Sequence, residues 1–251
     1  MLVAGWFINI LLRVKIGGQA YCPPQNFMKN EFSLKKLINN YYLITDNQPE
    51  ASNIFVYLNK GQALVIDSGV SKKNLKQFIS SKFKIKKIKI TLTHVHFDHI
   101  GGLKYFKPSE VFLPKQIKNN LKNKKNWALE YITDKETQKL FKNLSLNSIL
   151  YQNSEGNLKI FKIINALGHT NESVMFFDKQ NKVLITGDSL YSGKPYCFFY
   201  NSSKTNFIKT LNKIKNLKFN YILPGHGKIL NRKAALSTID NWIKALKAKK
   251  L

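Results

Sequence analysis

The chain contains five histidines, and each stands where an imidazole could hold a metal ion. Three fall in one run, His94-Val95-His96-Phe97-Asp98-His99. The run follows the apolar stretch Ile88 to Thr93, which reads as a buried strand, so His94 and His96, two residues apart in extended chain, point to one side and can bind one ion together. Asp98 and His99 then turn away, just before Gly101-Gly102, and are placed to hold a second ion close by. Three further residues complete the set: His169 in Leu167-Gly168-His169-Thr170, Asp188 in Thr186-Gly187-Asp188 and His226 in Pro224-Gly225-His226-Gly227. Each follows a short apolar run and is flanked by glycine, the pattern of a side chain presented from a loop at a strand's end. Imidazole and carboxylate without thiolate suit two zinc ions, with manganese or iron also accommodated. Two ions in such a site lie roughly 3.5–4 Å apart and clamp a nucleophile between them. A lone histidine is more often a satisfied core residue, but that reading loses its force once His169 and His226 are joined to the H-x-H-x-D-H run.

The elements that must carry these residues follow from pattern. Tyr41 to Thr45, Asn53 to Leu58 and Gln62 to Asp67 read as successive strands, the last two joined by the turn Asn59-Lys60-Gly61. Ser71 to Phe83 reads as an amphipathic helix. Strands are expected again at Leu158 to Ile163, Ser173 to Phe177, Val183 to Thr186 and Tyr221 to Leu223, with a helix over Asn206 to Leu217 between the last two. A closing helix over Arg232 to Leu251 gathers Leu236, Ile239, Trp242, Ile243 and Leu246 on one face. Residues 1–39 are expected to add edge strands, beginning with the apolar Met1 to Leu12, to a hydrolase domain over 40–251. A lysine-rich helical insertion near 115–150 is expected as an ordinary surface helical pair, with a lid as the alternative.

In order and spacing, these residues resemble the metallo-β-lactamase superfamily from about Leu43 to Gly227. The resemblance implies an α+β fold, an αββα sandwich of two mixed sheets with helices outside and the metals at one edge. It also implies that His94, His96 and His169 hold one metal, that Asp98, His99 and His226 hold the other, and that Asp188 bridges them. Asp67 matches the superfamily's first acidic motif and would prop the histidine-bearing loop without touching metal. True metallo-β-lactamases lack a bridging carboxylate where Asp188 stands, which disfavours antibiotic hydrolysis, and His96 excludes the flavodiiron branch, which carries Glu there. What remains resembles glyoxalase II, the quorum-quenching lactonases and related thioesterases. The stretch Gly187-Asp188-Ser189-Leu190-Tyr191 is similar to a motif of those hydrolases. By that likeness Asp98 and Tyr191 are the candidate catalytic residues, the Tyr191 hydroxyl polarising a substrate carbonyl; the alternative is a tyrosine packed under the metal loop. The nearby Pro195, Tyr196, Phe198, Phe199 and Tyr200 would wall an acyl pocket or fill core.

The activity so implied is cleavage of a thioester, or a related activated ester or lactone, of a small anionic metabolite by a hydroxide shared between two metals. A phosphodiesterase or nuclease of the ribonuclease Z type stays open, as does a mononuclear iron relative. Only residues 227–251 follow the last ligand, which weakens the specific glutathione reading, because glyoxalase II carries a helical domain there.

Composition bounds the partners. The formal net charge is +27, from 41 Lys+Arg against 14 Asp+Glu, a balance that attracts anions. The only arginines are Arg13 and Arg232 and the lysines are spread along the chain, so the charge reads as solvated surface and a nucleic-acid partner is disfavoured. Two cysteines, Cys22 and Cys197, make no disulfide framework, and Met1 to Leu12 is too short to span a bilayer, so the expectation is a cytoplasmic protein with no membrane span. Oligomeric state is left open.

Overall fold

A computed structural model describes residues 32–144 and 160–248. The expected strand at Met1 to Leu12, Cys22, and parts of the 115–150 and Leu158 to Ile163 segments lie outside those residues.

Among the described residues, ten strands form two five-stranded mixed sheets. The first runs in chain order: β1 (Phe32–Lys36), β2 (Tyr41–Asp46), β3 (Asn53–Asn59), β4 (Gln62–Ile66) and β5 (Lys87–Thr91), antiparallel except for the parallel β4–β5 pair. The second has the order β10 (Leu230–Asn231), β9 (Tyr221–Pro224), β8 (Val183–Gly187), β7 (Val174–Asp178), β6 (Lys162–Asn165), with β8–β9 its one parallel pair. A parallel pair needs a crossover, and helices supply it: α1 (Leu75–Phe83) links β4 to β5, and a second helix, Lys204–Lys215, links β8 to β9. The remaining helices are α2 (Phe97–Ile100), α3 (Lys115–Leu121) and α4 (Lys135–Asn143) before that crossover helix, which is therefore α5, and α6 (Arg232–Lys247) after it. This is the α+β sandwich the resemblance implies.

Strand alternation divides the core in two. On β7, Val174 and Phe176 join the apolar cluster between the sheets, with Ile44, Ile54, Val56, Ile66 and Ile90 from the first sheet. Their neighbours Met175 and Phe177 face the other way, into a second cluster with Phe207, Leu211 and Ile214 of α5 and Ile239, Trp242 and Leu246 of α6. β8 divides likewise, Val183 and Ile185 inward and Leu184 outward. The second sheet is thus covered on both faces, which is why its strands read as unbroken apolar runs.

Local chemistry moved several boundaries. α1 starts at Leu75 and not at Ser71: the Asn74 side chain caps it by accepting from Gln77 N at 2.9 Å, while Ser71 has φ 44° and donates its N–H to Asp46 Oδ2 at 2.7 Å. β6 begins at Lys162 because Phe161, Ile163 and Ile164 offer no alternation to set a register, and pairing with β7 sets it instead, Asn165 opposite Val174. In the 115–150 region, α3 and α4 are separated by two short 3-10 turns, Lys124–Trp127 and Leu129–Tyr131.

A buried hydrogen bond between side chains crosses the sandwich. Tyr41 of β2 donates its hydroxyl proton to Asp178 Oδ2 at the end of β7, at 2.6 Å, and Asp178 also accepts from the backbone and side chain of Asn181 at 3.0 and 2.6 Å. Tyr41→Phe keeps the ring but removes one donor from a buried carboxylate, so it is expected to cost about 1–3 kcal/mol in urea unfolding, with an unchanged m-value. An unaltered midpoint would show that this bond does not hold the sheets together.

Candidate metal centre

The two parallel pairs end at the same edge of the sandwich. Past the C-terminal ends of β4 and β5 come Asp67 and the run His94 to His99; past β8 and β9 come Asp188 and His226; His169 sits in the connection from β6 to β7. Open sheets with parallel pairs place their ligands at such strand ends, where connections diverge and backbone groups are left free. Backbone bonds join the two sheets here: Val174 N donates to Thr93 O at 2.9 Å and Asn53 N to Gly225 O at 2.7 Å.

The structure brings His94, His96, Asp98, His99, His169, Asp188 and His226 together. Three trios have candidate ligand atoms within 4.8 Å of one another: His94, His96 and His169; His94, His99 and Asp188; Asp98, His99 and His226. Asp188 lies among them, with Oδ2 3.5 Å from Nε2 of both His169 and His226 and Oδ1 3.5 Å from His99 Nε2. Asp98 Oδ2 is 2.9 Å from His226 Nε2 and 3.3 Å from His99 Nε2. Close approach demands glycine at two points. A Cβ on Gly225 would stand 2.2 Å from Asp188 Oδ1, and one on Gly187, at φ 49°, would meet Thr93 Oγ1 at 2.4 Å.

Surrounding hydrogen bonds set which ring nitrogens face inward. The Thr93 hydroxyl donates to Asp67 Oδ2 at 2.8 Å, so its oxygen is left to accept from His94 Nδ1 at 3.1 Å. That puts the His94 proton on Nδ1 and a bare lone pair on Nε2. His169 Nδ1 likewise donates to the Tyr196 carbonyl at 2.9 Å, and His99 Nδ1 lies 2.9 Å from Asp67 Oδ2, a charge contact and not an aligned hydrogen bond. Asp67 itself sits at φ 62°, in the left-handed region, and also accepts from Thr93 N at 2.7 Å. It supports both His94 and His99 from behind.

Such a cluster fits divalent cations. His94 Nε2, His99 Nε2 and Asp188 Oδ1 are buried without a hydrogen-bond partner, and His169 Nε2 faces His96 Nδ1 at 3.0 Å. Buried polar atoms are rarely left unpaired unless an ion or a catalytic role accounts for them. The electrostatics agree. Burial pushes the pKa of His94, His96 and His169 down, towards the neutral form that ligates. Burial also opposes charge on Asp98 and Asp188, yet His99 and His226 outweigh it and hold both carboxylates below their usual range. Reciprocally, and against its own burial, His226 is pushed up to about 10, first by Asp188, and His99 is raised by Asp98, Asp67 and Asp188.

At Tyr191 the structure has the geometry of the packing alternative. Its ring lies in the second apolar cluster, 4 % exposed and 4.8 Å from the Trp242 ring, and its hydroxyl donates to the Lys194 carbonyl at 2.7 Å. The single phenolic proton is therefore committed to the Lys194 carbonyl, with the ring centroid 6.1 Å from that of His226.

Sequence reasoning passed over two other features. Glu172 is fully buried behind the histidine run; its Oε1 accepts weakly from Val95 N at 3.4 Å and its Oε2 has no partner. The 115–150 insertion is also more than surface. Its Asn126 Oδ1 accepts from the Tyr200 hydroxyl, and Tyr131 packs on Phe198 and Phe199, with Phe199 lying 4.3 Å from the His96 ring.

Burial raises the Glu172 carboxyl from 4.5 to about 7. A folded-state pKa above the unfolded one means that its contribution is fully present below 4.5 and is lost as pH rises to 7, by up to about 3 kcal/mol. Urea unfolding in chelator should show Glu172→Gln keeping most of that stability at pH 8, relative to wild type. Parallel pH profiles for the two proteins would refute the assignment.

Residues 47–226 match the model of the metallo-beta-lactamase superfamily. The chain is 25% identical over 230 residues to a metallo-beta-lactamase type 2 of Bacillus cereus, covering 85% of this chain and 84% of the relative. It is 28% identical over 194 residues to the hydroxyacylglutathione hydrolase of Prochlorococcus marinus (strain MIT 9312), with 77% and 69% covered. To the acyl-coenzyme A thioesterase MBLAC2 of Gallus gallus it is 20% identical over 217 residues, with 76% and 78% covered. Among solved structures, DIM-1 metallo-beta-lactamase superposes with a TM-score of 0.65 at 18% identity, over 86% of this chain and 98% of that one, which shows the shared fold. With the family model spanning most of its length and the histidine and aspartate cluster at the strand ends, the chain belongs to the metallo-beta-lactamase superfamily and is a metal-dependent hydrolase.

Proposed function

We propose that this hydrolase binds two divalent metal ions, zinc foremost, and cleaves a thioester or a related activated ester or lactone of a small anionic metabolite. The observation that carries the reading is Asp188: its carboxylate stands 3.5 Å from histidines on three sides, where one oxygen can serve each of two ions. Such a pair of ions would supply Lewis acidity towards the scissile carbonyl and lower the pKa of an attacking water towards neutrality. Everything else is the work of the chain. His94, His96 and His169 would hold one ion, Asp98, His99 and His226 the other. Asp67 and Thr93 fix the ring orientations of His94 and His99, so that little reorganisation is left for the moment of reaction.

Solvent reaches the cluster chiefly past His226 and Asp98, whose side chains are 27% and 11% exposed, so a substrate would approach on that side. Asp98 is thus the carboxylate best placed to accept a proton from the attacking water or to pass one to the leaving group. Tyr191 acts here as a positioning residue: bonding to Lys194 O, it shapes the loop that also carries the Tyr196 carbonyl, the partner of His169. Thioesters are preferred to β-lactams because Asp188 is a carboxylate where the superfamily's lactamases have none. Two of the relatives, an acyl-coenzyme A thioesterase and a hydroxyacylglutathione hydrolase, carry names in keeping with that choice. Among the described residues no helix is long and apolar enough to cross a membrane.

Elemental analysis of protein purified without added metal, followed by thioester, lactone, phosphodiester and β-lactam substrates, tests the reading. Wild type is expected to carry close to two metals per chain and to turn over thioesters or lactones fastest. Asp188→Ala should keep its fold by circular dichroism, lose at least one metal and fall by about 100-fold or more in kcat/KM. Full occupancy with unchanged turnover in that variant would sink the proposal. Tyr191→Phe separates positioning from oxyanion stabilisation: with the hydroxyl committed to Lys194 it should change kcat by less than about 3-fold, whereas a lost transition-state donor would cost about 10-fold or more in kcat and kcat/KM together.

A further inference from the structure

Four large apolar side chains are exposed among the described residues, Tyr131, Phe198, Tyr200 and Tyr221, and the first three meet at one place. Phe198 is 51% exposed and Tyr200 64%, both in the loop that follows Asp188; Tyr131, at 39%, comes from the 115–150 insertion. Their rings are organised. Tyr131 lies 5.5 Å from Phe198 and 5.0 Å edge-on from Phe199, Phe198 lies 4.9 Å from Phe199, and the Tyr200 hydroxyl is tied to Asn126. Rings that merely filled core would be turned inward. Here two chain segments hold several of them out in water, a costly arrangement that marks a binding surface.

The inner end of this surface is the metal cluster itself. Phe199 stands 4.3 Å from the His96 ring and 5.2 Å from that of His169, and Phe198 and Tyr131 continue outward from it. A carbonyl held at the cluster would therefore have an aromatic track running away from it. Resting on the hydrolase reading above, we infer that Tyr131, Phe198 and Phe199 bind the acyl chain of the substrate and select for apolar chains of medium length. The ring steps of 4.3 and 4.9 Å from His96 to Phe198 call for about six carbons or more to cover the track. The occupant is the acyl chain and not the leaving group, because aromatic faces offer nothing to an anion, which the lysine-rich surface serves elsewhere.

Thioesters of one thiol with acetyl, butanoyl, hexanoyl and octanoyl chains test the inference on the metal-loaded protein. Fully burying a methylene is worth about 4-fold in binding, and a half-covered one about 2-fold, so kcat/KM should rise by some tens-fold from acetyl to octanoyl. Tyr131→Ala combined with Phe198→Ala should cut the octanoyl-to-acetyl ratio by about 10-fold. Tyr221→Ala, equally exposed on β9 and away from the track, should leave that ratio as in wild type. A flat chain-length profile, or a ratio that survives the double substitution, overturns the inference; survival of the ratio with loss of a dimer in light scattering would assign the patch to self-association. Calorimetric titration with octanoate and acetate reads the surface without turnover. Octanoate binding that depends on Phe198 in a protein that cleaves no thioester would leave the acyl surface standing and the hydrolase reading fallen. Thioester cleavage with octanoate bound no better than acetate would do the reverse, and absence of both would remove both.

Discussion

Charge burial is the constraint on which this molecule turns. Asp98 and Asp188 share a space of a few ångströms with five imidazoles, and only the His226 side chain retains substantial access to water. Two ionised carboxylates in such a place are tolerable only with positive charge against them, since an uncompensated buried ion costs several kcal/mol. Protons on His99 and His226 can meet that need, and so can divalent ions, which bring more charge without taking up the Asp67 contact or the Thr93 bond that orient the rings. The same field that raises the pKa of two histidines is what makes the site a cation trap.

The sandwich exists to bring those groups to one edge. Each sheet contributes one parallel pair, and each pair ends in one acidic residue and one histidine-bearing loop: Asp67 with His94 to His99, Asp188 with His226. Helices α1 and α5 impose the parallel crossings, and the apolar seam of Ile54, Val56, Ile66, Phe176 and Ile185 holds the pairs face to face. Backbone bonds from Val174 to Thr93 and from Asn53 to Gly225 then stitch loop to loop across the seam, so the ligand geometry inherits the rigidity of two sheets.

Legibility in sequence tracked how local each signal was. The histidine run could be read because its spacing, its strand and its glycines all lie between Ile88 and Gly102. Asp67 and Asp188 were visible as strand-end acids, and the inner face of α6 as a helical stripe through Ile239, Trp242 and Leu246. Tyr191 stayed open between a substrate donor and a tyrosine packed under the metal loop because its role depends on where one proton goes, and the taker is a carbonyl three residues on, presented by a turn that only the folded loop has. Glu172 gave no signal either: an acid in a polar loop becomes a buried group only through packing against Val95. The reach of the 115–150 insertion to the metal edge was equally hidden, since neither Asn126 nor Tyr131 carries a motif.

The surface charge belongs to the same economy. Of only 14 acidic residues in a chain of net charge +27, four stand at the metal cluster, Asp98 and Asp188 within it and Asp67 and Glu172 behind it. Others are spent outside, as where Lys72 meets Asp134 and Glu136 and Lys76 meets Glu110. At physiological salt the Debye length is about 8 Å, so most lysines act on the approach of a substrate and hardly on ions inside the cluster. The chain therefore separates two tasks by distance: a diffuse positive exterior that draws anions in, and a compact negative interior that keeps cations. An anionic metabolite with an apolar acyl chain meets both in turn, its charge drawn by the lysines and its chain by the rings beside His96.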